Sequence, residues 1–152
     1  MSFVRLATVA PDLVEEIFRR DDSELSALSN AVVAWAIGQV EIEDPRLAVA
    51  LSALKERRVS DRVRDQLWEL VQELDESAWD LQESEAGDET LVGYAHAFAR
   101  ARAANALWYS LFIPAASETV ADCMYEAQAV AGDVNGLRNV VRQVLANTYP
   151  TL

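Results

Sequence analysis

The stretch that decides the fold reads YAHAFARARAANALWYSLF, residues 94–112, and it contains seven alanines and five aromatic residues. Its apolar residues occur on nearly every side of a helix instead of along one stripe, which is typical of a helix buried on most sides. Alanines on several faces also let neighbouring helices approach closely. We therefore predict that a helix over residues 89–112 is the central helix of a bundle.

The remaining sequence predicts further helices, because helical spacing of apolar residues dominates and no run alternates strictly as a half-buried strand would. Capping residues and helix breakers delimit six of them: Pro11 to about Arg20, Asp22 or Ser23 to about Glu41, Pro45 to about Arg58, Ser60 or Asp61 to about Ala86, Pro114 to Gly132, and a helix capped by Asp133 that reaches about Asn147. The chain has 152 residues, with 5 glycines and 4 prolines. We predict a single all-α domain over residues 1–152, a bundle of about seven helices. A solenoid of helix pairs ranks second, because no repeat of roughly 30–45 residues recurs.

The charge balance limits the classes of partner. Against 25 acids there are 13 bases, a net charge of −12. Nucleic-acid binders and proteins that dock on anionic membranes rely on Lys and Arg, so both classes are disfavoured, and a basic protein is the expected partner. No apolar run is long enough to span a bilayer, no signal peptide is recognisable, and the only cysteine, Cys123, has no disulfide partner within the chain. With a strong bias of Arg over Lys, these features lead us to expect a cytoplasmic bacterial protein.

The predicted fourth helix is the most strongly charged segment. Its inner face is an apolar stripe that steps by three or four residues: Val63, Leu67, Leu70, Leu74, Ala78 and Leu81. Between residues 65 and 89 there are ten acids and no base. At about 100° per residue, the acids at 69, 76 and 83 form one column and those at 73 and 80 a second. Trp68 and Trp79 share a direction between these columns and the apolar stripe.

Two interpretations of this acidic helix stay open. It is either a solvated face whose tryptophans cap the core, or an interface. Helices that serve stability alone usually intersperse Lys or Arg among their acids, and interfaces concentrate binding energy in residues such as Trp inside a polar rim. We therefore predict an acidic protein-binding module of the immunity-protein, antitoxin or adaptor kind and leave homo-oligomerisation open. Its predicted partner-binding residues are Trp68, Glu69, Glu76, Trp79, Asp80 and Glu83.

The polar residues of the central helix fall on two sides. Arg102 and Asn105 share a side with core residues, whereas His96 and Arg100 lie four apart on roughly the opposite side. A buried arginine needs a carboxylate, because an unpaired buried charge is costly. The predicted suppliers lie four apart on the sixth helix: Glu118, Asp122 and Glu126. The alternative function is a sensory or ligand-binding domain whose pocket binds a small anion through His96, Arg100, Arg102, Asn105 and Tyr125, since the arginine fork matches carboxylate or phosphate.

Sites for most common chemistries are missing from the sequence. One histidine cannot build a zinc site, no Glu-x-x-His pair suits a helical di-metal centre, and glycine-rich phosphate loops are absent. All-α nucleotide pyrophosphohydrolases of the MazG type bind magnesium through Glu-Glu-x-x-Glu and Glu-x-x-Asp elements. The segments EEIFR (15–19) and ESAWD (76–80) match neither element. We predict no cofactor and no metal, identify no catalytic residue, and favour a non-enzymatic function.

Overall fold

The computed structural model describes residues 4–84 and 92–148, and these ranges contain helices and no strand. A short 3-10 helix, Arg5–Thr8, precedes seven α-helices. These are α1 Pro11–Ile17, α2 Asp22–Ile37, α3 Pro45–Glu56, α4 Asp61–Ser84, α5 Val92–Ser110, α6 Ser117–Ala129 and α7 Val134–Thr148. The predicted all-α bundle is confirmed. That residues 1–152 form one domain stays a prediction, since it includes ranges outside the described residues.

Side-chain caps fix several helix starts where the sequence predicts them. Asp44 accepts a hydrogen bond from the Arg46 amide at 2.8 Å, and Pro45 is the first residue of α3. Asp133 accepts one from the Gly136 amide at 2.8 Å at the start of α7. Such side-chain oxygens satisfy amides that have no partner within the helix.

The prediction that Pro114 starts the sixth helix is wrong. The Ile113–Pro114 peptide bond is cis, and α6 begins three residues later, at Ser117. The Thr119 hydroxyl bonds both backbone groups of Ala116, accepting from its amide at 3.2 Å and donating to its carbonyl at 2.9 Å. This local bonding fixes the helix start after the proline instead of at it.

Other predicted boundaries also need correction. The first two helices end at Ile17 and Ile37, each a few residues before the predicted Arg20 and Glu41, and the sixth ends at Ala129 instead of Gly132. The cap of the second helix is Asp21, which accepts a hydrogen bond from the Glu24 amide at 2.8 Å, and not Asp22 or Ser23. The predicted helix end at Ala86 and the start at residue 89 lie outside the described residues.

α5 occupies the centre, as predicted. It packs against α2, α3, α4 and α6. Five of its alanines are buried: Ala97, Ala101, Ala103, Ala104 and Ala106. The small side chains bring α4 and α6 close to α5 on different sides, so polar residues of α5 can reach carboxylates on both.

A glycine allows a second close approach, between α2 and α7. A Cβ atom built on Gly136 would lie 2.8 Å from Cζ2 of Trp35, closer than side-chain carbons pack. Gly136 therefore lets the Trp35 ring of α2 lie directly against the α7 backbone.

Candidate functional site

The outward side of α4 carries exposed carboxylates with no cation bound to them. We define the acidic face as Glu69, Glu76, Asp80 and Glu83, all of which are exposed. Across residues 4–84 and 92–148, no ion pair includes any of the four. Because the helix rises about 1.5 Å per residue, the acids at 69, 76 and 83 follow one line at intervals of roughly 10 Å.

Two tryptophans border this face, and their environments differ. Trp79 is 62% exposed, and Trp68 is 38% exposed. The Trp68 ring lies 4.7 Å, centroid to centroid, from the Trp108 ring of α5, which in turn packs edge-on against Phe112 at 4.9 Å. Trp68 therefore belongs partly to an aromatic cluster between α4 and α5, whereas Trp79 offers most of its indole ring to solvent.

Bases from other helices neutralise two further acids of α4. Arg46 of α3 binds Glu73, and Arg102 of α5 binds Asp75 at 2.5 Å. Counting bases within the helix alone therefore overstates its uncompensated charge. Three of the ten acids between residues 65 and 89 lie outside the described residues: Glu85, Asp88 and Glu89. The acidic face remains as the part of the helix whose charges have no partner within the described chain.

A second group of charges, which we call the Glu126 cluster, surrounds a carboxylate that is buried in the bundle. Glu126 of α6 is 1% exposed, and each of its two carboxylate oxygens accepts a hydrogen bond from a different arginine. Arg5 Nη1 donates at 3.0 Å and Arg102 Nη1 at 2.6 Å. Arg102 also binds Asp75, so the cluster connects the 3-10 helix, α6, α5 and α4 in one chain of ion pairs. The predicted bond between Arg102 and a carboxylate of the sixth helix is present.

Aromatic rings and a second carboxylate complete the cluster around Arg5. Asp122 lies 3.5 Å from Arg5 Nη2, and the Tyr109 hydroxyl accepts a hydrogen bond from the same nitrogen at 3.3 Å. The Arg5 guanidinium sits 4.7 Å from the centroid of the Tyr125 ring. Asp122 and Tyr125 thus serve Arg5, a residue for which the sequence analysis predicted no role.

The surroundings keep both arginines charged. Burial by itself lowers the pKa of the Arg5 and Arg102 guanidinium groups, but the attraction of Glu126, with Tyr109 for Arg5 and Asp75 for Arg102, leaves both pKa values raised. Burial also raises the pKa of Tyr109, against the opposing effect of Arg5. Both guanidinium groups therefore stay protonated over the physiological pH range.

The five residues predicted to form an anion pocket lie in two separate places. His96 and Arg100 line an open cleft of about 380 Å³ with the loop after α2, Gly38 to Glu41. Arg100 Nε donates to the His96 carbonyl at 3.4 Å. Arg102 and Tyr125 belong to the Glu126 cluster, and Asn105 is only 7% exposed. Only His96 and Arg100 of the predicted set therefore face a common open space, and Glu41 brings a negative charge to it.

The remaining chemistry of the described residues is sparse. They contain no group of three or more His, Cys, Asp and Glu side chains arranged to hold a metal ion. Burial raises the pKa of the Cys123 thiol to about 12, which keeps it protonated and unreactive. In the same ranges no helix has both the length and the apolar character needed to cross a bilayer. Comparison of the chain with protein families, curated proteins and solved structures finds no match.

Sequence reasoning missed Arg5, Arg46 and Arg138, three bases that pair with carboxylates of distant segments; the partner of Arg138 is Asp12, at 3.0 Å. Arg5 lies between Val4 and the fully buried Leu6, so an arginine within an apolar run was the available signal for a paired charge. Arg46 directly follows the predicted Asp44–Pro45 helix start and pairs with Asp44 at 2.9 Å as well as with Glu73. Its second partner depends on how α3 packs on α4, which no local pattern encodes.

Proposed function

We propose that the protein is a binding module that engages a basic surface of another protein through the acidic face and Trp79 of α4. One observation carries the proposal: four exposed carboxylates that form no ion pair with any described residue stand beside a tryptophan that is 62% exposed. Tryptophan is among the residues that dominate binding energy at interfaces, and a polar rim commonly surrounds it.

Stability alone gives a poor account of this arrangement. Asp80 lies four residues after Glu76 and three before Glu83, spacings at which like charges destabilise a helix by about 0.2–0.5 kcal/mol per pair. An indole ring that stays exposed to water also adds nothing to the stability of the fold. A basic partner would relieve the repulsion and bury the indole ring, and the acids would accelerate its association.

The proposed class is that of immunity proteins, antitoxins and adaptors, small proteins that cover a basic surface of a partner. As part of the proposal, the protein acts in the bacterial cytoplasm, where a lone cysteine stays reduced. In this class the bundle supplies a rigid platform, and the specificity resides in the spacing of the carboxylates around Trp79.

A capture experiment with two matched charge variants tests the proposal. Glu76→Lys/Glu83→Lys changes the acidic face, and Glu15→Lys/Glu43→Lys makes the same change in net charge at two exposed acids elsewhere. We expect the native chain and the control to retain the same basic protein from a lysate of the host, in a salt-sensitive manner, and the acidic-face variant to lose it. Retention of every bound protein by the acidic-face variant would contradict the proposal.

A second candidate function rests on the cleft between α5 and the loop after α2. His96 and Arg100 line it, and Arg100 binds no carboxylate among the residues that the structure describes. We propose, as the alternative, that this cleft binds a small carboxylate or phosphate in a sensory role. Its Arg100 would supply the charge, and Arg102 would be excluded because Glu126 and Asp75 already hold it.

Thermal shifts with inorganic phosphate and succinate test this alternative. We expect stabilisation of the native protein that Arg100→Gln removes and that Arg142→Gln, at an exposed base of α7, leaves intact. Equal shifts in both variants, or no shift in the native protein, would rule the cleft out as an anion site.

A further inference from the structure

The turn from α3 to α4 concentrates positive charge in an otherwise acidic protein. We define the basic turn as Lys55, Arg57, Arg58 and Arg62, four of the thirteen bases within eight residues. All four are exposed. No carboxylate of the described chain pairs with any of them, and Arg57 makes only a 3.5 Å contact from Nη2 to the Ser26 hydroxyl. The basic turn therefore carries a charge opposite to that of the acidic face.

A shallow apolar groove adjoins the basic turn on the outer side of α3. It encloses about 380 Å³ and is lined by Ala48, Val49, Ser52, Ala53, Glu56 and Arg58. Val49 is 49% exposed, one of the most exposed large apolar side chains of the described chain. We call this feature the α3 groove. It combines an open apolar floor with a positive end, although Glu56 contributes one opposing charge.

Trp79 and the α3 groove of one molecule cannot meet. α3 packs on the edge of α4 that carries Glu73, which Arg46 binds, whereas Trp79 shares the edge of Trp68, which contacts α5. Along the helix, Arg62 lies seventeen residues before Trp79, a separation of about 25 Å, although Glu69 follows Arg62 by only seven residues, or about 10 Å. Each chain therefore presents two complementary surfaces, with no ion pair between them among the described residues.

We propose that Trp79 and the acidic face of one copy dock on the α3 groove and basic turn of a second copy. The indole ring would cover the apolar floor around Val49, and Glu76 and Glu83, which flank Trp79, would meet Arg58 and Arg62. This inference rests on the proposed function, because it uses the same acidic face, and it identifies a basic surface that this face fits. Self-association would cover the face, so that a foreign basic partner competes with it.

Charge disfavours one form of the contact. A two-fold pairing of α4 helices would place Glu69 and Glu76 of each copy against the same acids of the other, a repulsive arrangement. A contact of face with groove avoids this in either of two forms. A head-to-tail contact leaves one free surface at each end and continues to higher oligomers or closes into a ring, and a reciprocal contact about a two-fold axis closes at a dimer. Salt screens the repulsion between the net negative charges of the copies beyond about 8 Å at physiological ionic strength, so mainly the charges close to the contact affect association.

Sedimentation velocity on the full chain and two variants tests the contact. The face variant is Trp79→Ala, and the groove variant is Val49→Glu/Arg58→Gln; all three positions are exposed, so we expect both variants to fold, as circular dichroism will verify. We expect the native protein to associate as its concentration rises, to a dimer if the contact is reciprocal and beyond a dimer if it is head-to-tail. Each variant alone should stay monomeric. An equal mixture should form a dimer and nothing larger, because only one competent face and one competent groove remain.

Three results would overturn the inference: a native protein that is monomeric at every concentration, a mixture that stays monomeric, or variants that associate as the native protein does. Capture from the host lysate separates this failure from that of the proposed function. The groove variant keeps an intact acidic face, so it should still retain the foreign basic protein. Absence of self-association together with that retention refutes the self-contact alone, whereas retention by the Glu76→Lys/Glu83→Lys chain refutes the proposed function.

Discussion

The Glu126 cluster and the acidic face both contain carboxylates, but the surroundings of those carboxylates are opposite. Glu126 is 1% exposed and bonds two arginines, and the acids of the face are exposed and form no ion pair within the described residues. A carboxylate inside the bundle must be paired, since desolvation without a partner costs several kcal/mol. A carboxylate outside needs no partner, so the acids of the face can stay unpaired without a cost to folding, as the proposed contact with a basic surface requires. The four predictions that follow test this contrast.

Removal of Glu126 should have the largest effect. Glu126→Ala leaves the Arg5 and Arg102 guanidinium groups close together without the carboxylate between them, and we expect a loss of about 3–5 kcal/mol in the free energy of unfolding. Urea unfolding followed by circular dichroism measures it. The control, Glu76→Ala on the acidic face, should change that free energy by less than about 0.5 kcal/mol. Similar losses in the two variants would contradict the contrast.

Two arginines of α5, only two residues apart, sharpen the contrast. Arg102 binds Glu126 and Asp75 and lies 5.4 Å from the Phe98 ring centroid, whereas Arg100 lines an open cleft. We expect Arg102→Ala to cost about 2 kcal/mol or more, because it leaves Glu126 with fewer partners in a buried site. Arg100→Ala should cost less than about 0.5 kcal/mol. In a double-mutant cycle, Arg102 and Glu126 should couple, and Arg100 and Glu126 should not.

Partly exposed ion pairs should give a smaller, pH-dependent effect. The hydrogen bond from Arg46 holds the pKa of Asp44 below its ordinary value of 3.8. A carboxylate with a depressed pKa in the folded state contributes stability above its unfolded pKa and loses it as the pH falls through the folded pKa.

Asp44→Asn should keep the helix cap but remove this acid-sensitive contribution of less than about 1 kcal/mol. Melting temperatures at neutral pH and below pH 3.8 measure the change. Relative to the native protein, the variant should lose less stability on acidification. The control, Asp65→Asn, lies at an exposed position of α4 without an ion pair and should follow the native curve.

Of the residues tested, Trp79 should contribute least to the free energy of unfolding. It should contribute most to the tryptophan fluorescence that acrylamide quenches. Since its ring is 62% exposed, Trp79→Phe should change the free energy of unfolding by less than about 0.5 kcal/mol. The variant should lose much of the emission that acrylamide quenches. Iodide, an anion, should quench Trp79 poorly beside the acidic face and well in Glu76→Lys/Glu83→Lys. Equal iodide quenching in the native protein and in Glu76→Lys/Glu83→Lys would show that the charges of the acidic face do not change the electrostatic potential at the Trp79 ring.

Local pattern predicted most of the fold. The alanine-rich segment predicted a central helix, and Asp44, Pro45 and Asp133 marked helix starts because capping depends on residues only a few positions apart. Pro114 led to a wrong helix start for the same reason. A proline indicates a helix start from its immediate neighbours alone, whereas the bonds between Thr119 and Ala116 determine where α6 begins.

The site was less predictable, because its pairings join distant segments. Helical spacing correctly suggested that Arg102 meets a carboxylate of the sixth helix. It gave no indication that Arg5, 121 positions before Glu126, donates a hydrogen bond to the other oxygen of the same carboxylate. The anion-pocket alternative placed Arg102 and Arg100 in one site, although helical spacing already put them on opposite sides of α5, and the structure has Arg102 in the Glu126 cluster and Arg100 at the cleft.

The central claim is that the charges paired inside hold the fold and that the unpaired face of α4 is the surface that other molecules meet. Photo-crosslinking in the host tests it most directly, with p-benzoylphenylalanine at the exposed Gln72, beside the acidic face, and at Glu15 as control. We predict a covalent adduct with a basic protein or a second copy from position 72 alone, abolished by Glu76→Lys/Glu83→Lys. Adducts that persist in that variant, or that form only from position 15, would contradict the claim.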